Sequence, residues 1–286
     1  MPLPARRSGS HSKRAARKRP GRHFELDQGS SLRGALRLST YLGLTLSLSL
    51  VQLPLLAVRS RGASLLPRFY HRLTCRIIGL DVEQRGTIST AAPTLFVSNH
   101  TSYLDIPVLG SLIVGSFVAK TEVGSWPVFG WLAKMQRTVF VDRRRGTTHH
   151  QRDDLQRRLD SGDNLILFPE GTSNDGNSVL PFRSALLSVA ERAARGAGLT
   201  VQPVSISYTK LNALPMGHRN RPHVAWYGDM ALGGHLWNFT RLGRARVVVE
   251  FHPPVLMSDF RSRKELTQHC HATISRGVAA ALGGHG

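Results

Sequence analysis

Cysteine is scarce in this chain: two in 286 residues, Cys75 and Cys270, far apart and without metal-ligand spacing. That argues against a disulfide-built scaffold and makes reduced thiols facing a cytoplasm the default expectation. His269 and His271 flank Cys270, but three consecutive residues cannot converge on one ion, so no metal site is expected. Glycine-rich phosphate loops of the dinucleotide or P-loop kind are missing, as is a G-x-S-x-G elbow, which removes the usual sequence support for nucleotide binding and serine hydrolysis. No internal repeat stands out. Acidic residues are also few, 18 against 38 Lys and Arg, giving a net charge of +20 and a pI near 11.4. Such an imbalance demands a partner or surface of opposite sign. With 41% hydrophobic residues the chain still has enough apolar side chains for a full core, in one large domain or two small ones.

The excess charge is unevenly spread. Residues 1–37 carry ten cations, from Arg6 to Arg37, against Glu25 and Asp27, and their Gly, Ser and Pro content reads as a disordered basic arm over 1–30. From Leu38 to Val58 there is no charged residue at all. Twenty-one residues suffice to cross a bilayer core as a helix. A signal peptide is disfavoured because the basic region is long and Val58 leads into Arg59-Ser60-Arg61 rather than a small-residue cleavage site. A buried soluble helix is the plain alternative. The reading adopted is a membrane-associated helical segment over 31–80, spanning, interfacial, or folded as a hairpin with Leu65–Leu80.

Beyond residue 81 the pattern becomes strand, loop, helix, repeated to the end. Short apolar runs at Thr94–Val97, Ser116–Ala119, Thr138–Val141, Asn164–Phe168 and Thr200–Tyr208 read as buried strands, with later strands at His223–Tyr227 and Arg246–His252. Helices are expected at 127–135, 147–161, 184–195 and 261–282. The fold class is therefore α/β, a mostly parallel sheet flanked by helices, over 81–286. Strands of one parallel sheet end on one edge, where such folds bind ligands. Here those ends carry Asn99 and His100, Lys120, Asp142 and Arg143, and Pro169-Glu170-Gly171-Thr172, so one cleft should collect them.

His100 and Asp105 form the chemical centre of that edge. Inside one helix, five positions turn about 500°, which would separate the two side chains. With His100 in a loop and Asp105 in the first turn of a helix, where Pro107 is tolerated, the imidazole can fold back onto the carboxylate. Such a pair yields a base held in one tautomer, with a carboxylate to stabilise the imidazolium that forms. An ordinary surface or core hydrogen bond is the bland alternative for an isolated His near an Asp. The convergence of polar strand ends favours the catalytic reading.

Four ordered stretches carry a resemblance: NHTSYLD (99–105), QRTVFVDR (136–143), FPEGTS (168–173) and VQPVSI (201–206). Together they resemble the blocks of the glycerolipid acyltransferases, which include the 1-acyl-glycerol-3-phosphate acyltransferases. The resemblance implies that His100 is the general base on an acceptor hydroxyl and that Asp105 holds it. Asn99, Lys120, Arg143, Glu170, Gly171, Thr172, Ser173 and Arg183 would then contribute to the substrate site. No cofactor is implied beyond a co-substrate, an acyl-carrier-protein or coenzyme A thioester. Many members that take a phosphate-bearing lysolipid carry Arg after the Gly-Thr pair, where this chain has Ser173. The stretch FPEGTSNDGNSVLPFRSALL (168–187) resembles the branch acylating lyso-ornithine lipid, whose acceptor has no phosphate. Both acceptors stay open.

The expected setting is the inner membrane, with the catalytic domain facing the cytoplasm where charged acyl donors are found. Nucleic-acid binding is the rival that the pI suggests. The charge, however, is concentrated beside an apolar helix and no aromatic platform accompanies it. Adhesion to anionic lipid, worth about 1 kcal/mol per cation near the surface, suits that arrangement better.

Overall fold

The computed structural model describes residues 29–141, 149–188 and 199–284. Most of the basic arm, Arg143 and the later part of the helix expected at 184–195 lie outside those residues. In chain order the elements are α1 (Ser31–Ala57), α2 (Gly62–Ile78), β1 (Leu80–Gly86), β2 (Thr94–Ser98), α3 (Asp105–Leu112), β3 (Ser116–Lys120), α4 (Phe129–Met135), β4 (Val139–Val141), α5 (His149–Asp160) and β5 (Leu165–Leu167). Next come β6 (Thr200–Leu211), β7 (Leu214–Pro215), α6 (Leu232–Arg241), β8 (Ala245–Phe251), β9 (Val255–Leu256) and α7 (Arg263–Leu282).

The described strands form one nine-stranded sheet in the order β1-β8-β6-β2-β5-β3-β4, with β7 and β9 paired to β6. Every pairing from β6 through β4 on that path is parallel, as is β1 with β8, while β8 runs antiparallel to β6. The core strands are buried on both faces, so they read as continuous apolar runs. Their two-residue period still sorts the side chains. Phe96, Ile166, Val204 and Ile206 pack against α2 and α3 with Val108 and Leu109. Leu95, Val97, Leu165, Leu167 and Val201 face the other way, toward Leu266, Cys270 and Ile274 of α7. This is the α/β sandwich that the alternation of elements predicts.

Four elements differ from expectation. The strand expected at His223–Tyr227 is absent: His218–His223 is a 3₁₀ helix containing Pro222, and the chain then runs as loop. Proline lacks the N–H that a sheet ladder needs, and Trp226 donates its backbone N–H to Thr101 O at 3.0 Å instead. Leu232–Arg241 is a helix that the pattern left undetected, and Leu80–Gly86 is an additional edge strand. The helix expected at 184–195 opens as a 3₁₀ turn over Ser184–Leu187 and is α-helical at Ser188, beyond which it lies outside the described residues.

Helix α1 has its polarity inverted relative to a surface helix of a water-soluble protein. Its buried residues are Gly34, Thr45, Ser49 and Gln52, while Leu32, Leu36, Leu46 and Leu50 face outward. Leu50 is 75% exposed. It is also 27 residues long and apolar enough to cross a membrane by length and composition. An amphipathic helix in water turns its apolar stripe inward, so the soluble-helix alternative loses its support. Polar contacts fasten the inner side of α1 to the domain. Thr45 Oγ1 lies 3.0 Å from Tyr70 Oη, and Arg37 donates to the carbonyls of Thr240, Leu242 and Gly243 at the end of α6.

Candidate active site

The parallel register of β2 and β5 pairs Val97 with Leu167, so His100 and Glu170 emerge at the same height, three residues beyond that pair. The β2 side is fixed by Asn99. Its amide donates to Ile206 O at 3.0 Å and accepts from Ile206 N at 2.8 Å, extending the β2–β6 ladder by one side-chain rung. Asn99 is buried and does not line the cavity described below.

Helix α3 begins at Asp105, and the loop before it wraps around that carboxylate. His100 Nδ1 lies 2.8 Å from Asp105 Oδ2, which also accepts from the backbone N–H groups of Thr101 at 2.7 Å and Ser102 at 2.9 Å. Tyr208 on β6 donates its hydroxyl to Asp105 Oδ1 at 2.8 Å. Asp105 is fully buried, and these contacts satisfy a charge that would otherwise be costly there. With Asp105 accepting from Nδ1–H, Nε2 carries the ring's lone pair, and among the described residues it has no hydrogen-bond partner. The imidazole stacks on Phe168, with ring centroids 4.2 Å apart and planes 18° from parallel, which fixes its tilt.

Glu170 braces the loop from behind. Its Oε1 accepts from His100 N at 2.8 Å, and its Oε2 from Asn174 Nδ2 at 2.6 Å and Leu180 N at 3.2 Å. Burial pushes its carboxyl up to about 7, although the same three hydrogen bonds pull the other way. Asn174 returns a second contact, its N–H donating to His100 O at 3.1 Å. Two residues on, Gly176 has φ +72°, and a Cβ there would come within 2.8 Å of Thr101 Cγ2. Only glycine lets the two loops approach this closely.

In front of His100 lies a cavity of about 720 Å³, far more apolar than polar in its walls. It is bounded by α1, α2, α4 and the strand ends, and His100, Lys120, Gly171, Thr172 and Ser173 all line it. The structure thus brings these five predicted residues together, with Asp105 and Glu170 behind them. Arg183 is exposed and outside the cavity wall, and its backbone N–H donates to Pro169 O at 2.9 Å. Among the described residues no cluster of His, Cys, Asp and Glu could hold a metal ion.

Sequence reasoning missed Tyr208, Asn174 and Phe168. Tyr208 was visible only as the one hydroxyl-bearing ring closing an apolar strand, and its partnership with Asp105 spans 103 residues. It also missed Tyr103, which lines the cavity and whose hydroxyl lies 3.0 Å from His235 Nδ1 on α6, a helix the sequence had not shown.

The comparisons with known proteins agree with this geometry. Residues 79–207 match the family described as Acyltransferase. The lyso-ornithine lipid O-acyltransferase of Brucella abortus is 42% identical over 256 residues, covering 88% of this chain and 96% of the relative. A 1-acyl-sn-glycerol-3-phosphate acyltransferase of Neisseria gonorrhoeae is 30% identical, covering 68% of this chain and 72% of the relative. In fold, the chain matches the crystal structure of the 1-acyl-sn-glycerophosphate acyltransferase from Thermotoga maritima. That match has a TM-score of 0.64 at 22% identity, over 87% of this chain and 93% of the other. A mostly parallel sheet, a His–Asp pair at its edge and relatives spanning most of the chain lead to one conclusion: the chain is an acyltransferase and belongs to the acyltransferase family.

Proposed function

We propose that the chain transfers a fatty acyl group from a thioester to the free hydroxyl of a lysolipid at a membrane surface. One observation carries the reading: the imidazole of His100, tied through Nδ1 to buried Asp105, opens onto a large apolar cavity walled by the outward-greasy helix α1. An acyl chain can occupy such a cavity while its polar end meets the ring.

In the proposed step, His100 Nε2 takes the proton from the acceptor hydroxyl as its oxygen attacks the thioester carbonyl. The new C–O ester bond forms, the C–S bond breaks, and the departing thiolate takes the proton back from the imidazolium. Asp105 stabilises that imidazolium without being protonated itself. A positioned base of this kind is worth about 10²–10⁴-fold in rate. Direct transfer requires no serine or cysteine nucleophile. The donor, an acyl-carrier-protein or coenzyme A thioester, is a co-substrate.

Between the two acceptors, lyso-ornithine lipid is favoured. Ser173 lines the cavity at the position where a phosphate-binding Arg would stand. A neutral hydroxyl does not replace the bidentate fork that arginine offers to a phosphate. Lys120 lines the same cavity and can meet a carboxylate or other anionic head. A reaction in the cytoplasmic leaflet of the inner membrane places the chain where charged donors are made, and an interfacial or hairpin arrangement of α1 and α2 keeps the catalytic edge on that side.

The test is an acyl-transfer assay with a panel of lysolipids, each offered both donors. Transfer to lyso-ornithine lipid in preference to 1-acylglycerol-3-phosphate is the expected result. The reverse preference would transfer the assignment to the phosphate-bearing acceptor, and no transfer to any lysolipid would refute the proposal.

A further inference from the structure

A second cavity, of about 530 Å³, opens beside the first turns of α1. No residue lines both it and the catalytic cavity. Five cations from three parts of the chain converge on it: Arg33 and Arg37 of α1, Lys210 of β6, Arg244 just before β8 and Arg246 on that strand. Asp81 is the single carboxylate in its wall.

The backbone holds these cations together although they repel. Lys210 and Arg246 are partners in the antiparallel β6–β8 ladder, a juxtaposition of like charges that costs stability. Arg33 and Arg37 lie one turn apart on α1 and share a face. Asn212 fixes Arg244 from the turn after β6: its N–H donates to Arg244 O at 2.8 Å, and its Oδ1 accepts from Arg244 N at 3.1 Å. Arg37 sits within repulsive range of both Arg33 and Arg244. Little inside the chain offsets this charge. Arg246 takes Asp81 at 3.1 Å and has Glu83 at 3.7 Å. Among the described residues Arg33, Arg37, Lys210 and Arg244 have no carboxylate partner, and the side chains of Lys210 and Arg244 make no hydrogen bond. An anion with several oxygens relieves the repulsion and suits the guanidinium forks, which is the chemistry of a phosphate.

The surroundings point to the source of that phosphate. Leu32 and Leu36 are exposed and stand one residue, about 100° of helix, from Arg33 and Arg37. The leucine row of α1 therefore runs beside its cationic row. Leu214 is also exposed, just past the turn whose Asn212 and Ala213 line the cavity. A free phosphate gains nothing from an apolar border. A phospholipid can set its phosphate among the cations and lay its acyl chains along those leucines.

We propose that the cavity between α1, β6 and β8 binds the phosphate of an anionic phospholipid, at a site separate from the catalytic cavity and independent of the acyl-transfer reading. The test uses the full-length chain in an uncharged detergent with a fluorescent phosphatidylglycerol. Unlabelled phosphatidylglycerol, phosphatidylcholine, glycerol phosphate and inorganic phosphate compete for it. Phosphatidylglycerol should compete about tenfold better than phosphatidylcholine. Most of that preference should vanish in the double variant Lys210→Gln/Arg244→Gln. It should persist in Arg219→Gln/Lys264→Gln, which removes the same charge from exposed positions outside the cavity. Equal preference in all three chains would place the lipid elsewhere, the catalytic cavity included, and overturn the proposal. Equal loss in both double variants would reduce the effect to diffuse attraction by the +20 charge and overturn it too. Inorganic phosphate or glycerol phosphate competing as well as the lipid would overturn the lipid source and leave a site for free phosphate. Lys210 and Arg244 are exposed, so the melting temperature should hold. If the double variant is unstable, Lys210→Gln and Arg244→Gln are read singly against single controls.

Discussion

Asp105 has no exposure to water and, among the described residues, no countercharge other than what His100 can supply, so its hydrogen bonds determine whether the pair holds together. Among the described residues Tyr208 alone serves Oδ1, while the other donors crowd onto Oδ2. Tyr208→Phe removes that donor and little volume, leaving a buried carboxylate oxygen unpaired at a cost of about 1–3 kcal/mol. The expected result is a lower melting temperature together with a reduced transfer rate. Unchanged activity and stability would show that Oδ1 finds another donor. Glu170 offers a second residue-level test. Gln in its place keeps one carbonyl acceptor but presents an NH₂ where N–H groups of Asn174 and Leu180 now donate. The sign of its pH effect is fixed by its raised value. Folded Glu170 titrates near 7 against 4.5 ordinarily, so between those values the folded chain holds the proton better than the unfolded one. Its contribution to stability is therefore greatest below about 4.5 and declines as pH rises toward 7. Glu170→Gln abolishes that decline, which melting curves at a series of pH values would reveal as a flatter profile than that of the wild-type chain.

Among the elements, α3 transmits the packing of α2 to the site, because Asp105 opens it and Gly110 seats His71. A methyl group at Gly110 meets the His71 ring, so Gly110→Ala should cost about 1–3 kcal/mol by overpacking and displace α2 from the cavity wall. A denaturant midpoint equal to the wild-type value would mean that the ring has room to swing. This element scale also shows what the sequence could reveal. The core strands were legible because each is a short, β-branched run, and the loop before α3 because Pro107 limits where that helix starts. Helix α6 was not: its GGHLWNFTR stretch contains two glycines, weak helix formers, and is held by packing against α1. The missed edge strand β1, LDVEQRG, is polar because it carries Asp81, Glu83 and Arg85 on a sheet margin, where apolar patterning fades. Local pattern foretold the His100–Asp105 loop but not its braces from Tyr208 and Asn174, since contacts between distant segments leave no periodic trace.

Taken whole, the molecule combines a net charge of +20 with a helix whose leucines face outward, and the two features address different parts of one surface. Cations attract an anionic leaflet and are screened by salt, whereas buried leucines are not. The chain should therefore sediment with membranes, resist extraction by high salt and be released by detergent. Replacing Leu46 and Leu50 together by Glu should move most of it to the salt-extractable fraction while the sheet domain keeps its fold. Release by salt or nuclease alone would contradict membrane seating by α1. The proposed function places proton transfer at His100 Nε2, where the cavity meets the hydrogen-bonded ring. The most direct measurement is the initial rate of acyl transfer to lyso-ornithine lipid by wild type and His100→Ala in the same detergent, with melting temperatures recorded alongside. A loss of about 10²–10⁴-fold in rate with the fold retained is the predicted result; a folded His100→Ala chain that turns over at the wild-type rate would contradict it.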